Sequence, residues 1–413
     1  MAPLMKTTNF RSDEDKFLSK PLLIIFLTVL IDLIGFGIVI PLLTFYAEKY
    51  EATPFDIGLL VASYSLMQFV FAPILGELSD KYGRRPILFF SIIGSGVGYL
   101  MLGFADSLWM IYASRILGGV TAGNLSTAQA YIADVTTKEN RAKGMGLFGM
   151  AFGLGFILGP IIAAFLSKIS YKLPFLFAAG LSFFNAILLY FILPETIKAD
   201  RGFHRKRENH FSGLVKSLKD KRFAMLTTEY FLLVTAFSIM TTAFAYYTMI
   251  NFGYDASETG YLLGYIGLIA VIVQGGLLGK LEKIFGEEKL VIYGLLILVL
   301  SLIAVPFVSK ENGGLAALLI GTAFFSLGNS IASPSLTSLA SKAASEAEQG
   351  KALGIMQSAA SLARVVGPSI CAFSLNNAFN QADSFTLKRT FWTAAAIMTI
   401  AFLFAVCFPF ERK

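Results

Sequence analysis

Four charged side chains interrupt stretches of sequence that are otherwise almost wholly apolar: Asp32, Arg115, Glu229 and Arg364. A charge in such surroundings is costly and marks a functional site by default. Asp32 lies about eleven residues into its apolar run, roughly 16 Å at the helical rise, near the middle of a hydrocarbon layer about 30 Å thick. A carboxyl there that is neutral in one state and ionised in another carries a proton. The alternative is a carboxylate that caps a helix break around Gly35 and Gly37. Glu229, about seven residues and roughly 10 Å into its run, is either a second titrating site or an acid near the interface. Arg364 is permanently charged and demands an anion, which an internal acid or a bound solute must supply. Asn124, Gln129, Gln274, Asn329 and Gln357 are polar at comparable depth. They are candidates for the wall of a solute site or for hydrogen bonds between helices.

Other chemistry finds no residues to perform it. His204 and His210, the only histidines, sit in a basic segment, and Cys371 and Cys407 lie in apolar runs without metal-ligand spacing. Gly94-Ser-Gly96-Val-Gly98 has neither the strand nor the acidic partner of a nucleotide loop, and no Walker-type loop is present. Asn124-Leu-Ser126 is a glycosylation triplet inside an apolar run. No catalytic residue, metal or cofactor is therefore expected, and the loops are too short to build a catalytic domain.

The elements that hold these residues follow from hydropathy. The 413 residues are 55% hydrophobic and 15% charged, against about 25% charged in soluble domains. Apolar runs of about 20 residues, the length of a bilayer span, begin near residues 21, 56, 86, 108, 144, 172, 223, 257, 288, 314, 350 and 387. The reading is an all-α membrane protein of twelve transmembrane helices. Of its 34 Lys and Arg, only Lys49, Lys168, Lys172, Lys310, Lys388 and Arg389 fall in outer loops when both termini are placed inside, and Arg115 and Arg364 lie in spans. The net charge of +7 is then a topological signal rather than a nucleic-acid footprint. Met1–Lys20 lacks the apolar core and cleavage site of a secretory signal and reads as a cytoplasmic tail. The longest polar segment, Lys198–Arg222, divides the chain into bundles 21–197 and 223–413. Within it Phe211, Leu214, Val215 and Leu218 have the spacing of an amphipathic helix on the inner leaflet.

The two bundles repeat one another. At offsets of 203 to 208 residues, Gly76-Glu77-Leu78 meets Gly279-Lys280-Leu281, Gly83 meets Gly286, Gly146 meets Gly354, and Gly159-Pro160 meets Gly367-Pro368. Duplicated six-helix halves place a solute site at their interface near the midplane, opened to each side in turn by rocking.

Three motifs sit on this frame. The loop after the second span reads Gly76-Glu-Leu-Ser-Asp80-Lys-Tyr-Gly83-Arg84-Arg85-Pro86; the fourth span carries Arg115-Ile-Leu-Gly-Gly119-Val-Thr-Ala-Gly123; the fifth carries Gly146, Gly155, Gly159 and Pro160. Together they resemble the drug:proton antiporter branch of the major facilitator superfamily. Asp32-Leu-Ile-Gly35-Phe-Gly37 with Pro41, and Leu193-Pro194-Glu195-Thr196, extend the likeness to its tetracycline-exporter group across essentially every span. The resemblance implies that Asp80 sits against the amino end of the eleventh helix and that Arg84 pairs with Asp134, a latch that closes the inner side. It assigns Arg115 to proton coupling and the glycine-proline pattern to antiport. The second copy of the loop has Glu287-Glu288 in place of Arg84-Arg85, so only the first is expected to latch fully. The sequence also departs from the tetracycline exporters, with Gly98 where they carry an acid and Ala270 where they carry a histidine.

The function expected is secondary active transport by alternating access, as proton-coupled antiport of an amphipathic small molecule. The alternative is an exporter or exchanger of an endogenous organic anion, siderophore or lipid-like metabolite anchored on Arg364. The expected partners are a small-molecule substrate, protons and the lipid bilayer, without nucleic acid. The expected setting is a monomer in a bacterial inner membrane, both termini cytoplasmic.

Overall fold

The computed structural model describes residues 20–136, 141–196, 220–343 and 349–407. The amino-terminal tail and the amphipathic segment of the 198–222 linker lie outside the described residues. The first half holds α1 (Lys20–Glu48), α2 (Pro54–Tyr82), α3 (Arg84–Gly103), α4 (Leu108–Thr121), α5 (Asn124–Val135), α6 (Arg141–Ser167) and α7 (Leu173–Ile192). The second holds α8 (Lys221–Phe252), α9 (Ala256–Phe285), α10 (Glu287–Ala304), α11 (Gly314–Ala343), α12 (Gln349–Leu375) and α13 (Ser384–Cys407). Eleven of these helices are long and apolar enough to cross a membrane. The fourth crossing is the pair α4 and α5, so the fold is twelve transmembrane helices in two six-helix bundles.

Sequence-local chemistry sets the ends. Thr53 and Asp56 form a reciprocal capping box at α2, with Pro54 at its first turn, and Asp255 and Glu258 do the same for α9. Helices start up to three residues before the apolar runs because charged first turns, Arg84-Arg85 in α3 and Glu287-Glu288 in α10, extend beyond the hydrocarbon. Large apolar side chains such as Phe90, Phe165, Phe191 and Phe385 stand exposed, as they must where lipid is the solvent.

The fourth span is not the continuous helix that hydropathy predicts, since α4 stops at Thr121 and α5 begins at Asn124. Close approach to α2 is the cause. A Cβ on Gly119 would stand 2.4 Å from Tyr64 O and one on Gly123 2.5 Å from Leu75 Cδ1. Polar groups at the break find partners on α2: Gln68 Nε2 donates to Ala122 O at 3.4 Å and Ser126 Oγ to Ala72 O at 3.3 Å. Such re-satisfaction is what a broken helix at membrane depth requires.

The sequence repeat reappears as packing. Gly159 meets Gly37 where α6 crosses α1, and Gly367 meets Thr235 and Ser238 where α12 crosses α8. These are the corresponding crossings of the two bundles, each followed by a helix-interior proline, Pro160 or Pro368.

The bundles touch through two antiparallel seams, α2 with α12 and α6 with α9. Both are closed at the end away from the basic α2–α3 loop. There Gly58 packs on Ala372 and Pro368, Phe55 on Phe373 with ring centroids 5.2 Å apart, and Gly260 on Pro160 and Ala164. Toward the basic end Gly76, Gly275, Gly276, Gly279 and Gly354 have open space where a side chain would begin. The cleft between the bundles opens at that end.

Candidate functional site

Three of the four charges singled out in the sequence come together. Asp32 from α1, Arg115 from α4 and Arg364 from α12 line one cavity of ≈ 130 Å³ between the bundles. Asp32 is 8% exposed and Arg115 5%. Asp32 is the one acid among the described lining residues, and the Asn124 side chain at the start of α5 faces it. Among the described residues, no acid lies within 4.0 Å of either guanidinium. The Arg115 guanidinium instead rests over the Tyr64 ring, 4.2 Å from its centroid, and its Nε makes no hydrogen bond to a described residue.

Tyr64 was not singled out by sequence and stands among all three charges. Its ring also meets Phe36 at 5.6 Å, which meets Phe156 at 5.9 Å, which stacks on Phe152 at 5.7 Å. These rings and Phe237 from α8 make the cavity wall apolar, with Thr44, Ser65, Gln68, Ser238, Thr241 and Thr242 supplying hydroxyls and an amide. Beside it a smaller space of ≈ 10 Å³, about one water molecule, is bounded by Gly98, Tyr99, Ser95 and Arg115. Gly98 therefore leaves room next to Arg115.

Several polar candidates are not among the residues lining this cavity. Gln129, Gln274, Asn329 and Gln357 do not line the cavity. Their depth was legible but their direction around the helix was not. Gln274 is exposed within the π-helical turn Val273–Leu277 of α9. Glu229 also lies outside the cavity lining. It is 0% exposed on the face of α8 that carries Leu226 and Leu233, and neither carboxyl oxygen makes a hydrogen bond to a described residue.

The α2–α3 loop is a compact ionic cluster. Arg84 bonds Asp80 at 2.5 Å, Asp134 of α5 at 3.1 Å and Ser79 Oγ at 2.6 Å. Glu195, just past α7, accepts from the Arg84 and Arg85 backbone N–H groups at 2.9 and 3.1 Å, where the α3 dipole favours an anion. Arg85 donates to Tyr190 O and lies over the Tyr190 ring. Gly83 is required twice: its φ is +106°, and a Cβ there would stand 2.5 Å from Glu195 Oε2. Arg84→Ala would leave two carboxylates facing each other at a half-buried site. It is expected to cost about 2 kcal/mol, read as lowered thermal stability in detergent, with Asp134→Asn in the Arg84→Ala background recovering part of it.

The second copy of this loop is fuller than its sequence suggested. Glu287 accepts from Lys342 Nζ at 2.7 Å and from Ser338 Oγ at 2.6 Å. The pair joins α10 to α11 as Arg84–Asp134 joins α3 to α5, with the polarity reversed.

Comparisons with known proteins agree with this architecture. The model of the Major Facilitator Superfamily matches residues 25–368 and again 276–413. The class H tetracycline resistance protein of Pasteurella multocida is 30% identical over 403 residues, 96% of this chain and 98% of that protein. Multidrug resistance protein 2 of Bacillus subtilis (strain 168) is 28% identical, covering 86% of this chain and 90% of that one. The crystal structure of the human organic anion transporter MFSD10 (TETRAN) superposes with a TM-score of 0.69 at 24% identity, covering 94% of this chain and 99% of that one.

Proposed function

We propose that this chain, which belongs to the Major Facilitator Superfamily and is a membrane transporter of small molecules rather than an enzyme, is a proton-coupled antiporter that exports amphipathic, drug-like compounds by alternating access. The observation that carries the reading is Asp32. It is the one acid lining the cavity between the bundles and has no cation within 4.0 Å among the described residues. A proton there keeps the carboxyl neutral. A cargo that brings its own positive or donating group to the same place displaces that proton, so cargo and proton occupy the site in alternation. The tetracycline and multidrug resistance names of the relatives support export.

With the basic loops on the cytoplasmic side, the cleft described above faces inward, both termini are cytoplasmic, and the setting is a bacterial inner membrane, the protein acting as a monomer. The seams supply the other half of the cycle. Continuing the antiparallel pairing of Gly58 with Ala372 toward the basic end brings Gly76 opposite Gly354, both now in open space. Closing there while the Gly58 seam parts turns the cavity outward. Arg84, Asp80 and Asp134 stiffen the turn at the end of α2, the helix that makes this contact.

Gly58→Val is expected to shift the protein toward the outward-open state, because a Cβ at this position already stands 2.4 Å from Ala372 Cβ and 2.7 Å from Pro368 O. A cysteine pair at Gly76→Cys and Gly354→Cys should cross-link faster in that background than without it. The coupling itself is tested by proton release from the purified protein on binding tetracycline and a panel of cationic drugs in weak buffer. Release in wild type that is absent from Asp32→Asn supports antiport, and binding without release counts against it.

A further inference from the structure

We infer that the cargo is zwitterionic, with an acidic group held by Arg364 and Arg115 and a basic group that takes the place of the proton on Asp32; this rests on the antiport reading of the same cavity. The cavity wall carries two fixed cations and one acid. Asp32 is faced by Asn124 and lies within 4.0 Å of neither guanidinium, so neither arginine has its counter-ion inside the protein among the described residues. Arg115 is 5% exposed, its Nε has no hydrogen-bond partner among the described residues, and a tyrosine face compensates only part of a buried charge. Arg364 reaches the cavity from the other bundle, with Tyr64 and Tyr230 near it. An anion bound here would touch both bundles at once.

Charge logic selects among cargo classes. A simple cation would displace the proton from Asp32 but meet two guanidinium groups as well. A simple anion would satisfy the arginines, yet it would bind best when Asp32 is protonated, so anion and proton would travel together rather than in exchange. A zwitterion meets both demands, and the rings of Phe36, Phe156 and Phe237 hold its apolar body.

Three probes with one body separate these classes: Nε-dansyl-lysine, its methyl ester and its Nα-acetyl derivative, which are zwitterion, cation and anion. Binding is followed by dansyl fluorescence and proton exchange by a pH dye, using the full-length purified protein. The ester is expected to bind about tenfold more weakly than the zwitterion, the size of one charge-assisted hydrogen bond. Arg364→Ala should bring that ratio close to one, and Arg364→Lys, which keeps the charge, should retain part of it. An ester that binds as tightly as the zwitterion, a ratio unchanged in Arg364→Ala, or no binding by any of the three overturns the inference. The two readings fail separately. Carboxylate preference without proton release by the zwitterion contradicts antiport alone, whereas proton release without carboxylate preference contradicts the zwitterion alone.

Discussion

Asp32→Asn is expected to reduce proton-driven accumulation of cargo to the background of protein-free vesicles while leaving cargo binding measurable. The amide keeps the shape of the side chain and its contact with Asn124 but can neither take up nor release a proton. Among the described residues the cavity wall holds no second acid to take over. Exchange of labelled for unlabelled cargo should therefore persist, because rocking of the bundles needs no proton once cargo is bound. Cargo affinity, which in wild type rises as the medium withdraws the proton, should become independent of pH. If accumulation survives in Asp32→Asn, the proton carrier lies elsewhere, and Glu229→Gln becomes the decisive variant.

Gly159→Leu is expected to prevent assembly of the amino-terminal bundle. A Cβ at 159 would stand 2.7 Å from the Gly37 Cα and carbonyl carbon and 2.8 Å from Ile34 O. These are backbone atoms of a packed helix, so nothing flexible can yield. Overpacking at such a crossing costs about 3 kcal/mol or more, read as loss of monodisperse protein in detergent. The repeat makes the same forecast for Gly367→Leu, whose Cβ would meet Thr235 O at 2.7 Å. Gly180→Leu is the control, since nothing lies within 4 Å of its Cβ position. Gly354→Leu is the informative intermediate. Open space surrounds it in this state, so it should fold, yet it should block closure against Gly76 and stop transport.

What the sequence revealed, and what it withheld, divides along a physical line. Depth in the membrane is one-dimensional and can be counted along the chain, so the spans, their number and the depth of Asp32, Arg115 and Arg364 were legible. Rotation about each helix is set by neighbours and was not. That is why Gln129, Gln274, Asn329 and Gln357 were candidates at the right depth that do not line the cavity. It is also why Tyr64 was missed among 16 tyrosines, none of which differs in type from the rest. The break between α4 and α5 was written in Gly119 and Gly123, but small residues four apart signal close packing whether or not the helix continues. The reversed ion pair of Glu287 and Lys342 needed the repeat to be followed into α11, where a lysine faces the glutamate. At the loop the family resemblance pointed to the pair: Arg84 meets Asp134, while Glu195 adds a tie that the Leu193–Thr196 motif did not specify.

The central claim, exchange of cargo for protons, has a test that does not depend on how the protein inserts into a vesicle. Reconstituted protein is given each compound that it binds in solution, under an imposed pH gradient of either sign. Antiport predicts that vesicles acidic inside accumulate the compound from a neutral medium, and that a protonophore abolishes the accumulation. Accumulation driven only by vesicles acidic outside, or uptake indifferent to the gradient, would contradict it.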